Sequence, residues 1–270
     1  MLHSKQRLLE LNAKLAENLT SKGVTATADE TTTALVNKVA EISTGGGESS
    51  VLSSLIDGSL TEITIPKDVS EIRSHAFDNY LNLTKVTLQS PTRINTFAFQ
   101  ACPNLKTFDF QYVTRIDDYA FARVNGGLEV VDFTNCEYDI KNLAFMLDGC
   151  TGLKTLIFGK KQTKIGWAMA NNCKNLSTLY ITSSITTVYG NSFGGCTALE
   201  FVTIEDGFNA NNLNLSVSTK YSHDTILSWL NALADRTGLT AYTLTIGATN
   251  LAKLTEEDIL IATNKNWTLA

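Results

Sequence analysis

Hydrophobic and polar positions recur through the middle of the chain at intervals of 22 to 25 residues. Each unit begins at a leucine, and apolar residues follow at the third and fifth positions after it, between mostly polar ones. This alternation predicts a short β-strand with one buried face. The anchor positions are Leu60, Leu83, Leu105, Leu128, Leu153, Leu176 and Leu199.

A unit this short cannot bury its own apolar side, so it must stack on its neighbours. The pattern therefore predicts one parallel ladder of about seven strands, with a turn or a short helical segment on the back of each unit. The fold class is an α/β repeat. It is accompanied by a helical hairpin at the N-terminus and by a small α+β cap at the C-terminus.

Aromatic and cysteine positions follow the same period. The first four units are each assigned an Ala-Phe pair: Ala76-Phe77, Ala98-Phe99, Ala120-Phe121 and Ala144-Phe145. In two later units the pair becomes Ala168-Met169 and Ser192-Phe193. Two residues before each aromatic position lies a second column, His75, Phe97, Tyr119, Leu143 and Trp167. Four thiols, each three residues before an anchor leucine, predict a buried column of small side chains; they are Cys102, Cys150, Cys173 and Cys196. Cys136 lies outside it.

The unit I-x-x-x-A-F-x-x-C-x-x-L is clearest from Ile94 to Leu105 and recurs in phase at least six times over about 60–204. It resembles the BspA-type leucine-rich repeat. The resemblance implies a leucine-rich-repeat solenoid. It also implies a binding role, because family members are mostly bacterial surface proteins or parasite proteins that act by binding.

The ends of the chain predict three further parts. Residues 1–43 predict a helical attachment segment, because Leu8, Leu11, Leu15 and Leu19 form one apolar stripe. We expect this stripe to drive homo-oligomerisation; the alternative is that it folds back as a cap. A Gly/Ser linker follows at 44–52, then the solenoid at 53–207 and the cap at 208–270, which an open solenoid end requires.

The cap has its own signals. The pattern predicts a helix from Thr225 to Asp235, a strand from Tyr242 to Ile246, and a last strand at 267–269. A capping box at 255–258 predicts a helix that ends at about Asn264. At the other end of the chain, the segments Leu15–Val24 and Leu35–Ile42 resemble the N-terminal segment of many phage tail and baseplate proteins of Gram-positive hosts.

Composition narrows the partner. The net charge of −5 and the pI of about 5.3 argue against nucleic acid. No run of about 18 apolar residues occurs, so we expect no membrane insertion. The start also lacks the unbroken apolar core of a signal peptide. We therefore expect the chain in a virion, or in the host-cell cytoplasm before release.

Catalytic and metal chemistry find little support in the sequence. Gly190-Asn-Ser192-Phe-Gly194 matches the G-x-S-x-G pattern of hydrolases, but Ser192 takes the repeat slot of Ala76, so repeat phase explains the match. We expect no enzyme activity, no catalytic residue and no cofactor. We also expect no metal, since Asp109 and Asp132 supply too few carboxylates for calcium.

The outward strand face is the candidate binding surface. It carries charged or polar residues in the early units and apolar residues in the late ones: Glu62, Lys85, Asp109, Asp132, Ile157, Tyr180 and Phe201. We expect the last three to be neighbours. Two interpretations remain open: the segment 210–270 covers them, or they form a contact patch for a partner.

The sequence predicts a non-enzymatic binding or structural protein. The leading hypothesis is a phage or prophage virion component, at the tail tip or baseplate, that presents a recognition face to a host or partner. The alternative is a bacterial cell-surface or host-interaction adhesin of the BspA type. The expected partner is a protein or a cell-surface glycan.

Overall fold

The structure is a computed structural model that describes residues 59–141 and 143–270, together with Ala13 and Thr27. The predicted helical segment, its leucine stripe (Leu8, Leu11, Leu15 and Leu19) and the linker lie outside the described residues. The chain divides into two compact units, Met1–Thr61 and Glu62–Ala270. In its described residues the second unit contains fifteen strands and three helices.

The seven predicted strands all form, and neighbours pair in parallel. They are β1 (Glu62–Ile65), β3 (Lys85–Leu88), β5 (Thr107–Phe108), β7 (Val130–Asp132), β8 (Thr155–Ile157), β10 (Thr178–Ile181) and β12 (Phe201–Ile204). They pair in two sheets, β1-β3-β5 and β7-β8-β10-β12. The predicted single ladder is thus interrupted between β7 and β5, which has only two residues. Packing continues across the interruption, where the rings of Phe110 and Phe133 lie 5.1 Å apart.

The back of the repeats differs from the prediction, because it carries a second parallel ladder in addition to turns. Its strands are β2 (Glu71–Ile72), β4 (Thr92–Ile94), β6 (Val113–Ile116), β9 (Lys164–Ile165) and β11 (Thr187–Val188). They pair as β2-β4-β6 and β9-β11, and an isolated pairing joins Arg115 to Lys141. Each strand places at least one apolar residue inward, as Ile72, Ile94 and Ile116 show. Buried side chains from both ladders form the core.

The turn after the second ladder depends on one residue with a left-handed backbone. This column is His75, Phe97, Tyr119, Phe145, Ala168 and Asn191, with φ between 46° and 60°. Phe145 and Ala168 therefore replace the predicted Leu143 and Trp167. The rings of Tyr119 and Phe145 stack at 4.8 Å, which confirms the shifted alignment.

The same shift changes the column of Ala-Phe pairs, which we call the inner column. The amide of Phe121 donates to the carbonyl of Met146, as that of Phe99 donates to Ala120. Met146-Leu147 therefore fills the slot assigned to Ala144-Phe145, and Met169-Ala170 fills that of Ala168-Met169. For the first of these pairs the cause is the longer unit between Leu128 and Leu153, which inserts two extra residues. In the early units Phe77, Phe99 and Phe121 stack as predicted.

The cysteine column is confirmed. All five cysteines are free and buried, and each thiol of the column donates to a backbone carbonyl of the preceding unit, as Cys150 does to Phe121 at 3.0 Å. Cys136, which lies outside the column, donates to the carbonyl of Phe110 at 3.1 Å. Burial raises the pKa of Cys102, Cys136 and Cys150 to about 12.

We expect the native chain to resist thiol labelling. The thiolate is the reactive form, and burial both disfavours it and blocks access. In a DTNB assay the folded chain should release little dye over minutes, whereas the chain in guanidinium chloride should release five equivalents, one for each cysteine. Rapid native labelling of even one cysteine would contradict the buried column.

The C-terminal region closes the end of the repeats. It comprises α1 (His223–Ala232), α2 (Ala248–Leu251), α3 (Glu256–Asn264) and a parallel sheet of β13 (Leu213–Asn214), β14 (Tyr242–Thr245) and β15 (Trp267–Leu269). The capping box at Thr255 and Asp258 is confirmed, as are both predicted helices and strands. Helix α1 packs on β12, where the indole nitrogen of Trp229 donates to the carbonyl of Val202 at 2.8 Å.

An imidazole connects two helices of this cap. The Nε2 of His223, on α1, lies 3.0 Å from Oδ2 of Asp258, on α3, and its Nδ1 lies 3.2 Å from Oδ1 of Asp224. The hydrogen bond to Asp258, followed by that to Asp224, raises the pKa of His223. The same contact with His223, assisted by Thr255, lowers the pKa of Asp258 to about 2.

This contact predicts a pH-dependent contribution to stability. Because the pKa of His223 is raised in the folded state, its stabilisation is complete below the ordinary histidine value of about 6.5 and is lost as pH rises through the raised value. Asp258 stays ionised throughout this window. The Tm difference between the wild type and His223→Gln should therefore be larger at about pH 5.5 than at about pH 9. Equal differences in the two thermal scans would contradict the contact.

In the region that the structure covers, every helix falls short of the length and apolar character required to cross a membrane.

Candidate binding surface on the strand face

The outward positions of the four-stranded sheet form two rows across the strands. One row is Val130, Thr155, Thr178 and Phe201, and the other is Asp132, Ile157, Tyr180 and Thr203. Ile157 and Tyr180 are directly paired, and Phe201 lies diagonal to Tyr180, so the predicted neighbourhood is confirmed. Cross-strand and diagonal neighbours are close enough for aromatic side chains to interact. We call Val130, Ile157, Tyr180 and Phe201 the apolar strand face.

The C-terminal region leaves part of this face open. Phe201 is 61% exposed and Val130 is 51% exposed. The interpretation that residues 210–270 cover the late units is therefore wrong for Phe201. The reason is the period of the strand: α1 contacts β12 at the buried Val202, and the next side chain along a strand points the opposite way.

Two residues of the apolar strand face, Ile157 and Tyr180, line an open groove of about 590 Å³. Thr203, Lys160 and Thr134 also line it. Ile157 and Tyr180 are half-buried. The groove thus combines apolar area with hydroxyl groups that can donate or accept hydrogen bonds.

An ion pair stands beside the groove. The Nζ of Lys160 lies 3.5 Å from Oε1 of Glu205. The amide and hydroxyl of Ser183 both donate to the other carboxylate oxygen, at 2.9 and 3.0 Å. These hydrogen bonds, together with Lys160, lower the pKa of Glu205. The position of the carboxylate is therefore fixed by the backbone, whereas the exposed ammonium of Lys160 is free to turn towards a ligand.

The early, polar half of the face contains the other predicted residues. Glu62 and Lys85 are adjacent in register, and their charged groups are 4.0 Å apart. Asp109 accepts a hydrogen bond from the amide of Gln111 at 2.9 Å. Asp132 accepts one from the amide of Thr134 at 2.8 Å. Both aspartates therefore stabilise turns after their strands, a role that the alternation pattern did not predict.

Across residues 59–141 and 143–270, no group of three or more His, Cys, Asp or Glu is arranged to hold an ion.

The repeat geometry agrees with the family comparison. The family described as BspA type leucine rich repeat region matches in six copies, over residues 56–147 and 127–226. The chain belongs to the BspA-type leucine-rich-repeat family. Binding is typical of leucine-rich-repeat proteins, so the protein is a repeat protein of a binding or structural kind.

Solved structures similar to this BspA-type chain are distant. A T. pallidum leucine-rich-repeat protein is 20% identical, with a TM-score of 0.47 over 54% of this chain and 71% of that one. One from Bacteroides ovatus is 17% identical, with a TM-score of 0.46 over 69% of this chain and about half (49%) of that one. A leucine rich cell surface protein from Faecalibacterium prausnitzii is 16% identical, with a TM-score of 0.27 over 68% and 65% of the two chains. No curated protein matches significantly.

The G-x-S-x-G sequence has a structural role in this BspA-type repeat. Ser192 is buried, and its hydroxyl lies within hydrogen-bond distance of the carbonyls of Gly166 and Tyr189. The hydroxyl is therefore directed at the backbone of the neighbouring unit, as the repeat phase of Ser192 suggests.

Sequence reasoning did not select Val130, Lys160 or Glu205. Val130 follows the strand alternation and could have been chosen by the same rule as Phe201. Lys160 and Glu205 lie in the turns after β8 and β12 and belong to different units. Only the stacking of the units reveals that they are neighbours.

Proposed function

We propose that this BspA-type repeat protein is a non-enzymatic binding protein that recognises a partner protein with the apolar strand face. The observation that carries the proposal is the open groove of about 590 Å³ that Ile157 and Tyr180 line, with the exposed Phe201 diagonal to Tyr180 in the sheet. Exposed apolar patches of soluble proteins mark interaction sites. Tyrosine and phenylalanine are enriched at the centres of protein interfaces.

The charged groups around this face suit a peripheral role. Lys160 lines the groove and pairs with Glu205, Asp132 is the register neighbour of Ile157, and Glu62 and Lys85 lie in the early units. Charges at an interface rim influence orientation and association rate more than affinity. In this proposal the apolar strand face supplies most of the affinity, and the polar half of the face aligns the partner.

A bacterial cell-surface setting fits the proposal best, because the BspA-type family consists mostly of surface and host-interaction proteins. In this setting the chain acts as an adhesin. A phage virion is the second candidate, and the resemblance of Leu15–Val24 and Leu35–Ile42 to phage tail and baseplate proteins favours it. Tail and lysis genes beside the coding sequence would support the virion, and their absence would contradict it.

The N-terminal leucine stripe bears on the second candidate, the phage virion component. We propose that Leu8, Leu11, Leu15 and Leu19 join copies of the chain, as expected of an attachment segment. Light scattering should give an oligomer for the full chain and a smaller species after all four leucines are changed to serine. A monomer in both cases would contradict the proposed association.

The binding proposal is tested with an array of purified bacterial and animal surface proteins. A partner that binds the full chain should bind Tyr180→Ser and Phe201→Ser about tenfold to a hundredfold more weakly, because central aromatic residues dominate interface energies. Leu260→Ser is the matched control, since Leu260 is also an exposed apolar residue but lies on α3. Equal losses in all three variants, or none in the first two, would contradict the proposal.

A further inference from the structure

A second concave site lies on the other ladder, at a position where one unit has no side chain. Gly166 follows β9, against Leu143 of the preceding unit, and a pocket of about 250 Å³ opens there. A Cβ added at Gly166 would lie 2.4 Å from the carbonyl carbon and oxygen of Leu143. Because Gly166 has no side chain, its unit can approach the backbone of Leu143 closely beside the pocket.

Two exposed aromatic side chains form the walls of this site, which we call the Trp167 pocket. Trp167 is 52% exposed and Tyr189 is 45% exposed, although large aromatic residues are usually mostly buried. A Cβ at Gly190 would lie 2.9 Å from the indole ring of Trp167. Because Gly190 has no side chain, the indole ring can occupy this space.

A buried hydroxyl links the backbone at Gly166 to the backbone of one wall. The hydroxyl of Ser192, which is only 5% exposed, lies 3.0 Å from the carbonyl of Gly166 and also contacts the carbonyl of Tyr189. Tyr189 directly follows β11, and Trp167 follows β9 after Gly166; these two strands are paired in register. The walls are thus held before a ligand arrives, which reduces the ordering cost of binding.

One cation at the pocket is available to a ligand. On the same ladder Arg93 and Arg115 both bind Asp117, and Lys141 binds Asp139. Lys164 lines the pocket, and unlike these three cations it has no acidic partner among the described residues.

We propose that the Trp167 pocket binds an acidic sugar residue of a glycan. A sugar ring has an apolar C–H face that stacks on an aromatic ring, and its hydroxyls can form hydrogen bonds with polar groups of lining residues such as Tyr189. The carboxylate of the sugar pairs with Lys164. The volume is below the roughly 300–1,000 Å³ of pockets for drug-sized ligands, which matches one ring better than an extended chain. This site is separate from the apolar strand face and does not depend on a protein partner there.

Tryptophan fluorescence tests this site directly. Trp229 and Trp267 are buried, so acrylamide quenching reports mainly on Trp167. The probes are 3′-sialyllactose and trigalacturonate, and their uncharged counterparts are lactose and the trigalacturonate methyl ester. We expect each acidic probe at millimolar concentration to protect Trp167 from quenching, and each uncharged counterpart to protect it much less.

Variants assign the binding groups. By calorimetry, Trp167→Ala should weaken binding at least about tenfold through lost stacking and burial. Lys164→Gln should weaken it about fivefold and remove its salt dependence. Tyr180→Ser, on the apolar strand face, is the control that should bind the acidic probes normally, and unchanged thermal unfolding of Lys164→Gln confirms that it is folded.

Three results would overturn the proposal. The first is that neither acidic probe protects Trp167. The second is that the uncharged counterparts protect it equally, or that Lys164→Gln binds normally. The third is that a protein partner, rather than either sugar, loses affinity in Trp167→Ala, which would assign the pocket to protein recognition. If a protein partner loses affinity only in Tyr180→Ser and Phe201→Ser, the result supports the strand-face proposal and does not change the conclusion drawn from the sugar probes.

Discussion

Replacing Phe99 with alanine should lower the free energy of unfolding by about 3–5 kcal/mol, the cost of removing a fully buried aromatic ring. Phe99 is completely buried, and its ring lies 5.1 Å from Phe77 and 5.2 Å from both Phe121 and Phe108. The amides of Phe77 and Phe99 donate to the backbone of the next unit. Because these bonds hold the units in place, the cavity collapses only in part. Urea unfolding monitored by circular dichroism measures the loss.

Phe97→Ala is the matched control for this prediction. Phe97 lies two residues away, in the outer column, and its ring also stacks on a neighbour, at 5.4 Å from Tyr119. It is only half-buried, so water fills the space that the ring leaves. Its loss of stability should be clearly smaller than that of Phe99→Ala. Equal losses would contradict the assignment of Phe99 to the inner stack and Phe97 to the outer column.

Replacing Trp229 with alanine should cost a similar amount, about 3–5 kcal/mol, and should also release the last strand of the ladder. Trp229 is completely buried between α1 and β12, and its ring meets Tyr221 edge to face at 4.8 Å. The substitution removes this packing and also the donor to the carbonyl of Val202. We therefore expect faster hydrogen exchange of the β12 amides, together with a lower urea midpoint.

Two variants separate the contributions of Trp229. Trp229→Phe keeps most of the ring but leaves the Val202 carbonyl unpaired, and it should cost about 1–3 kcal/mol. Ser222→Ala removes the N-cap bond of the same helix and should cost about 1 kcal/mol. Only the Trp229 variants should accelerate exchange in β12. Unchanged β12 exchange in Trp229→Ala would show that α1 does not cap the ladder.

The first ladder was predictable because its strands carry a local signal. The alternation after each anchor leucine needs no knowledge of neighbouring units, and it gives all seven strands. The second ladder lacks such a signal, since β2, β9 and β11 have two residues each and one inward side chain. An alternation cannot be recognised in so short a segment. Only backbone pairing between units defines these strands.

Two column assignments were wrong, Ala144-Phe145 and Ala168-Met169, and the first was wrong for a related reason. Counting from the strand anchors treats every unit as equal, but the unit after Leu128 is longer than its neighbours. Ala144-Phe145 repeats the local motif of Ala120-Phe121, so the sequence alone favours the wrong pair. In the structure the backbone bond of Phe121 to Met146 decides the alignment.

The candidate surfaces show the same division. Ile157, Tyr180 and Phe201 follow from strand alternation, and their exposure needed only the position of α1. The Trp167 pocket could not be predicted, because its lining residues come from three units and become neighbours only when the units stack. The importance of Gly166 likewise becomes visible only in the structure, where a Cβ would lie 2.4 Å from the Leu143 carbonyl. Trp167 itself was assigned to a packed column that Ala168 occupies instead.

The buried thiols have a consequence for where the protein can function. Free cysteines outside a cell normally risk oxidation and mispairing, yet every thiol of this chain is enclosed while the repeats stay stacked. The folded protein is therefore indifferent to the redox state of its surroundings and suits an exposed bacterial surface as well as a reducing cell interior. Unfolding removes that protection at all five positions together. In an oxidising medium, a single unfolding event then leads to covalent cross-linking and makes the loss of the protein irreversible.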